Sequence, residues 1–239
     1  MKPLTPEAAL EVWERGRDRS STGRALALLK AAASDGSTAS LGSLTLGERD
    51  RRLLELRAAT FGPEMTACSS CPHCTEDVEL SLKVEDLLAL AAGDRAAEPR
   101  ISGAGGLRFR LPTSEDLLAA EAAPDSGRAE EVLLERCLLE PGSPPATSLA
   151  LEDRSALAEA MSCADPLAEV TLDLRCGACG EGWQELFEIA DFLFEEVALW
   201  ARSLLREVSL LARGYGWRES DILALSPHRR RAYRELLGV

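Results

Sequence analysis

Apolar residues recur along this chain with two periods, and the changes from one to the other divide it into segments. A helical period governs most of it. Thr5-Pro6-Glu7 supplies a capping residue and a proline for the first turn of a helix that carries Ala9, Val12 and Trp13 on one face. Residues 23–33 form a second helical stretch, and residues 34–43, rich in Ser, Gly, Thr and Ala, read as a loop. Thr45 or Gly47 opens a helix containing Leu53, Leu54 and Leu56 that ends at Phe61-Gly62-Pro63. Further helices are expected over 85–92, 116–122, 128–139 and 151–161, with Thr113-Ser114-Glu115-Asp116 as a helix-start signature and a Pro-rich loop at 141–145.

A two-residue period marks the expected strands. Val78, Leu80 and Leu82 alternate with polar residues over 77–83, as do Leu107, Phe109 and Leu111 over 107–111. Val170, Leu172 and Leu174 repeat the pattern, and 183–189 reads as one more strand. Beyond it lies the most regular part of the chain. Between 190 and 212, Leu193, Phe194, Val197, Ala201, Leu204, Leu205, Val208 and Leu211 recur at helical spacing, giving one amphipathic helix of roughly 30 Å or more. Its apolar stripe can face the protein's own core or a partner. After Gly214 and Gly216, Trp217 begins a short helix through Ile222 and Leu225, and Ser226-Pro227 starts a last one bearing Arg229, Arg230, Arg231 and Arg234.

The strand-like segments run beside cysteines. Cys71-Pro72-His73-Cys74 and, roughly 100 residues later, Cys176-Gly177-Ala178-Cys179 each hold two thiols two residues apart. A Cys-x-x-Cys turn aims both sulfurs at one ion, so two such hooks complete a tetrahedral Zn²⁺ site. Gly180 follows the second hook and can take the left-handed conformation a tight knuckle requires; the first hook has Thr75 there. Cys71, Cys74, Cys176 and Cys179 are the expected ligands, with Cys68 a spare thiol and His73 another possible ligand. Four protein ligands leave no open position for water or substrate, which makes the expected zinc structural. Cys137 and Cys163 lie on helical apolar patterns and read as small buried hydrophobes.

Other thiol chemistries fit less well. A thioredoxin-like redox pair needs its Cys-x-x-Cys at a helix start in a βαβ unit, whereas both hooks adjoin strands. A disulfide framework suits exported chains, yet Met1 to Leu10 carry no signal-peptide pattern and seven cysteines leave one unpaired. The expected fold is therefore α+β and mostly helical, with a small antiparallel zinc-ribbon-like sheet pinned by the four-Cys site. Residues 1–45 read as an N-terminal helical extension. Residues 46–239 read as the zinc-ribbon-containing domain, with arms 68–83 and 168–189, a helical insertion 84–167 and C-terminal helices 190–239.

Charge narrows the function. A net charge of −13 over 239 residues opposes generic binding to nucleic-acid phosphates, although zinc ribbons often serve as nucleic-acid or transcription adaptors. No apolar run is long enough to span a membrane, and a cytoplasmic location is expected. The arginines at 229, 230, 231 and 234 read as a local basic face that pairs with the protein's own carboxylates; Arg229, Arg230 and Arg231, flanked by Trp217 and Tyr233, are also a candidate partner-binding patch. With His73 and His228 the only histidines, and neither a nucleophile elbow nor a phosphate-binding loop, the chain is not expected to be an enzyme.

Several segments together resemble a known family. Ala168-Glu169-Val170 through Cys176-Gly177-Ala178-Cys179, Trp183, Phe187-Glu188-Ile189, the long helix, Tyr215-Gly216-Trp217-Arg218-Glu219 and Ile222-Leu223-Ala224-Leu225-Ser226-Pro227 with Arg229-Arg230 and Tyr233 resemble proteins related to the T-even-type phage baseplate hub assembly chaperone. Leu53-Leu54-Glu55-Leu56-Arg57 with Phe61-Gly62, the first hook, and Leu111-Pro112-Thr113-Ser114 extend the resemblance over much of the chain after about residue 45. The resemblance implies a protein of a contractile, phage-tail-like injection system. Such a protein acts without catalysis, by binding baseplate, hub or wedge subunits.

Overall fold

In a computed structural model the protein is described over residues 1–33, 41–91, 108–139 and 146–238. Its spine is α8 (Ile189–Tyr215), whose Leu193, Phe194, Val197, Ala201, Leu204, Val208 and Leu211 are buried. The apolar stripe read from the sequence thus serves the chain's own core, except for Leu205, which faces solvent. Around it lie α1 (Pro6–Gly16), α2 (Ser21–Ala32) and α3 (Leu46–Phe61), each opened by a hydroxyl that accepts from a backbone amide: Thr5 from Ala8, Ser20 from Gly23 and Thr45 from Glu48. Ala9, Leu10, Val12, Ala25, Leu28, Leu29, Leu53, Leu54 and Leu56 join the α8 residues in one core. Residues 1–33 therefore share the core of the rest of the chain.

Two hairpins leave this core. β1 (Glu64–Ser70) pairs antiparallel with β2 (Asp77–Lys83), from Glu64 opposite Lys83 to Ser70 opposite Asp77. β3 (Val170–Arg175) pairs antiparallel with β4 (Gly182–Phe187), from Val170 opposite Phe187 to Arg175 opposite Gly182. The expected sheet thus comes as two separate two-stranded sheets, one per cysteine hook. β1 is an element the hydrophobic pattern did not show, because only Met65 and Ser69 along it are buried.

The hairpins are rooted in the helical core. Met65 is 1% exposed and belongs to it, with Leu82, Leu172 and Phe187 packed against it. Phe187 is followed by Glu188 and then by the first residue of α8. Arg57 braces the other root: its guanidinium pairs with Glu196 on α8 at 2.7 and 3.0 Å and donates to the carbonyls of Gly62, at 2.7 Å, and Glu64. α4 (Val84–Ala89) then seats Val84 and Leu87 in the core.

The helical insertion has a second, smaller core. Phe109, Leu134 and Leu157 meet there, contributed by the segment before α5 (Ser114–Glu121) and by α6 (Ser126–Cys137) and α7 (Leu151–Ala164). The strand expected over 107–111 is, in its described part, reduced to isolated bridge residues Arg108 and Phe109, the latter opposite Leu138; Leu107 lies outside the described residues, as do 34–40 of the loop at 34–43, residue 92 of the helix at 85–92, and the loop at 141–145. Asp116 organises this region, accepting from Arg110 at 2.5 and 2.9 Å, Arg136 at 2.7 Å and the Thr113 amide at 2.9 Å. Glu121 ties α5 to the start of α2 by accepting from Ser20 and Thr22 at 2.7 and 2.6 Å.

At the other end of α8, α9 (Glu219–Leu223) and α10 (Pro227–Leu236) fold back against it. Trp217 precedes α9 instead of opening it, because it stacks on Tyr215 at 4.6 Å and meets Tyr233 edge-on at 4.8 Å. Among the described residues no helix is long and apolar enough to cross a membrane.

Candidate metal centre

Each hairpin ends in the same knuckle. In the first, the Cys71 amide donates to the Glu76 carbonyl at 2.9 Å and the Thr75 amide to the Cys71 carbonyl at 2.9 Å. In the second, the Cys176 amide donates to the Glu181 carbonyl at 2.9 Å and the Gly180 amide to the Cys176 carbonyl at 3.0 Å. The residue after each second cysteine is left-handed, Thr75 at φ 61° and Gly180 at φ 79°. Glycine takes that conformation freely, whereas a β-branched residue is strained by it.

The knuckles bring four sulfurs together. The Sγ atoms of Cys71, Cys74, Cys176 and Cys179 all lie within 4.8 Å of one another. Cys71 is 3.7 Å from Cys179 and Cys74 is 3.6 Å from Cys176, so both short contacts cross from one hairpin to the other. Four sulfurs placed about 2.3 Å from a central ion would stand about 3.8 Å apart, whereas a disulfide needs about 2.05 Å. The spacing fits four ligands around one ion. Cys71 and Cys176 are buried while Cys74 and Cys179 face solvent. No described strand of one hairpin pairs with a strand of the other, so an ion held by the cluster would cross-link tips whose roots are set separately in the core. Ser69 adds a polar contact between them by donating to Glu185.

Backbone amides prepare the sulfurs for coordination. The amides of Cys179 and Ala178 point at the Cys176 sulfur and lower its pKa to about 7, favouring the thiolate a metal requires. The Glu76 amide acts likewise on Cys74, but the sulfurs of Cys176, Cys179 and Cys71 outweigh it and push that thiol up to about 12. The Glu181 amide and the Cys74 sulfur favour the Cys179 thiolate, yet burial and the sulfurs of Cys176 and Cys71 raise its pKa overall. Crowded thiols without an ion resist ionising together, and a divalent cation at their centre reverses that cost.

The remaining candidates are placed elsewhere. Cys68 sits on β1 opposite Glu79, exposed and outside the four-sulfur group, and His73 is exposed at the knuckle tip, also outside it. Cys137 is fully buried as expected of a small hydrophobe; Cys163 is exposed near the end of α7, which corrects its reading as a core residue. Arg230 is 2% exposed and donates to Glu207 at 2.8 Å and to the Leu225 carbonyl at 2.6 Å, so it faces its own chain. Arg234 shares Glu207 at 3.3 Å. Trp217 and Tyr233 are half-buried with Tyr215 against the core, whereas Arg229 and Arg231 are exposed. The Arg57–Glu196 brace carried no sign in the sequence, since an arginine in a charged helix reads as solvent-facing.

Compared with family models, curated proteins and solved structures, the chain matches none. What stands is an α+β chain, mostly helical, with two small hairpins and a cluster of four cysteines able to hold a metal ion.

Proposed function

We propose that Cys71, Cys74, Cys176 and Cys179 hold one structural Zn²⁺, and that the protein so clasped is a non-enzymatic baseplate or hub assembly protein of a contractile, phage-tail-like injection system, working in the cytoplasm by docking on other subunits. One observation carries the metal reading: four sulfurs from two hairpins converge at tetrahedral spacing. Bound there, zinc would supply four thiolate bonds and no open position for substrate. The protein's own contribution is rigidity. With both hairpin roots set on α8 and the tips tied together, a partner meets a preformed surface and less conformational freedom is lost on docking.

The resemblance carried by segments after about residue 45 suggests the biological setting, and the charge supports proteins over nucleic acids as partners. Glu76, Asp77, Glu79, Asp173, Glu181 and Glu185 flank the cysteines, and such a rim repels phosphate. The test is co-expression with the baseplate, hub and wedge subunits of a contractile particle, followed by size-exclusion chromatography. The zinc-loaded chain should co-elute with a hub or wedge subunit. Elution of the loaded chain free of every subunit would refute the docking reading.

A further inference from the structure

The residues of α8 that reach the core leave an opposite face on which Leu199, Arg202, Leu205, Arg206, Leu210 and Arg213 succeed one another. At 3.6 residues per turn the three arginines fall within roughly 40° of one line along the helix. All three are exposed. Leu199 is 62% and Leu205 37% exposed, and Leu210 is half-buried, so apolar side chains alternate with guanidinium groups on one solvent face.

This face is electrically unsatisfied. Arg202 and Arg206 have no ion-pair partner among the described residues, and Arg213 donates to the Ser209 hydroxyl at 3.3 Å. Many other arginines are matched, Arg51 and Arg52 with Glu48, Arg57 with Glu196, Arg110 and Arg136 with Asp116, Arg230 and Arg234 with Glu207, while Arg218, Arg229 and Arg231 beyond α8 also lack an ion pair among the described residues. Residues 201–239 hold eight arginines against four carboxylates in a chain whose net charge is −13. The basic surplus is local, and three of its arginines, Arg202, Arg206 and Arg213, line an apolar strip.

We propose that this strip docks an acidic amphipathic helix of a partner protein, its carboxylates meeting Arg202, Arg206 and Arg213 and its apolar residues covering Leu199, Leu205 and Leu210. Pairing by helix faces fits the length, because residues 199–213 span about 20 Å of helix axis. A second copy of this chain fits badly. The antiparallel pairing that sets Glu195 against Arg213 also sets Arg202 against Arg206, and like charges at contact cost affinity. The inference rests on the docking mode proposed above but not on the metal.

The probe is a helix-forming peptide of about 20 residues built from glutamate and leucine with that spacing, titrated into the zinc-loaded full chain. Its lysine-for-glutamate counterpart and a DNA duplex are titrated beside it. The acidic peptide should bind, weaken at least about tenfold when Arg202→Glu, Arg206→Glu and Arg213→Glu are combined, and weaken again as salt rises. Hydrogen exchange of the parent chain should show slowing over 199–213 on binding, which needs no variant. Equal binding by the basic peptide, preference for DNA, or protection confined to another surface would overturn the proposal. The two readings also separate: a triple variant that still co-elutes with its baseplate subunit rejects the strip and leaves the docking function standing.

Discussion

Stripping the metal from the cysteine cluster should destabilise the whole protein, not only the hairpin tips. The tips are coupled to the core at three places. Met65 is buried in it, Phe187 leads through Glu188 into α8, and Arg57 holds the Gly62 and Glu64 carbonyls while pairing with Glu196. A ligand that binds only the folded state stabilises it by about 4 kcal/mol when present at about 1,000 times its dissociation constant. For a chain of this size each kcal/mol moves the melting temperature by about 2–4 °C, so a strong zinc chelator should lower it by about 8–16 °C. Circular dichroism melts before chelation, after it, and after zinc is restored read this directly. Cys176→Ser should melt like the chelated parent, and Cys68→Ser, which lies outside the cluster, should behave like the untreated one. A melting temperature that moves by less than about 2 °C once the metal is gone would refute the coupling between clasp and core.

Further outcomes follow from other parts of the structure. Thr75→Gly should leave stability unchanged or raise it by up to about 1 kcal/mol, because it relieves a left-handed β-branched residue, whereas Gly180→Val should cost about 1–2 kcal/mol in urea unfolding; the opposite order would contradict the matched knuckles. Arg57→Ala should cost about 3 kcal/mol by leaving Glu196 and two carbonyls without their donor, and a loss under about 1 kcal/mol would deny the brace. Asp116 is buried, which opposes ionisation, but Arg110, Thr113 and Arg136 outweigh this and hold its carboxyl well below the usual carboxylate range. Its contribution is therefore present above about pH 4 and is lost as pH falls toward the folded value. Asp116→Asn should flatten the decline in stability below pH 4, and an unchanged acid profile would count against the network.

The sequence carried the cysteine cluster more plainly than the scaffold that presents it. Cysteine spacing is a local signal, and it named the four residues whose sulfurs converge. The alternation in β2, β3 and β4 was visible because one face of each is half-buried, but β1 was not, since Glu64, Thr66, Cys68 and Ser70 all face solvent and little apolar pattern remains. The long apolar stripe of α8 was legible as a stripe; that it serves the chain's own core depends on α1, α2 and α3, which lie far from it in sequence. Cys163 follows a helical apolar period yet is exposed, because α7 buries Leu157 and little else. Ion pairs such as Arg57 with Glu196, 139 residues apart, leave no periodic trace at all.

The most direct test of the clasp is X-ray absorption at the zinc edge on freshly purified, untagged protein, together with native mass spectrometry. The clasp requires one zinc per chain with four sulfur neighbours at about 2.3 Å and no nitrogen or oxygen ligand. A metal-free chain, a disulfide between any two of Cys71, Cys74, Cys176 and Cys179, or a shell that includes His73 or water would contradict it.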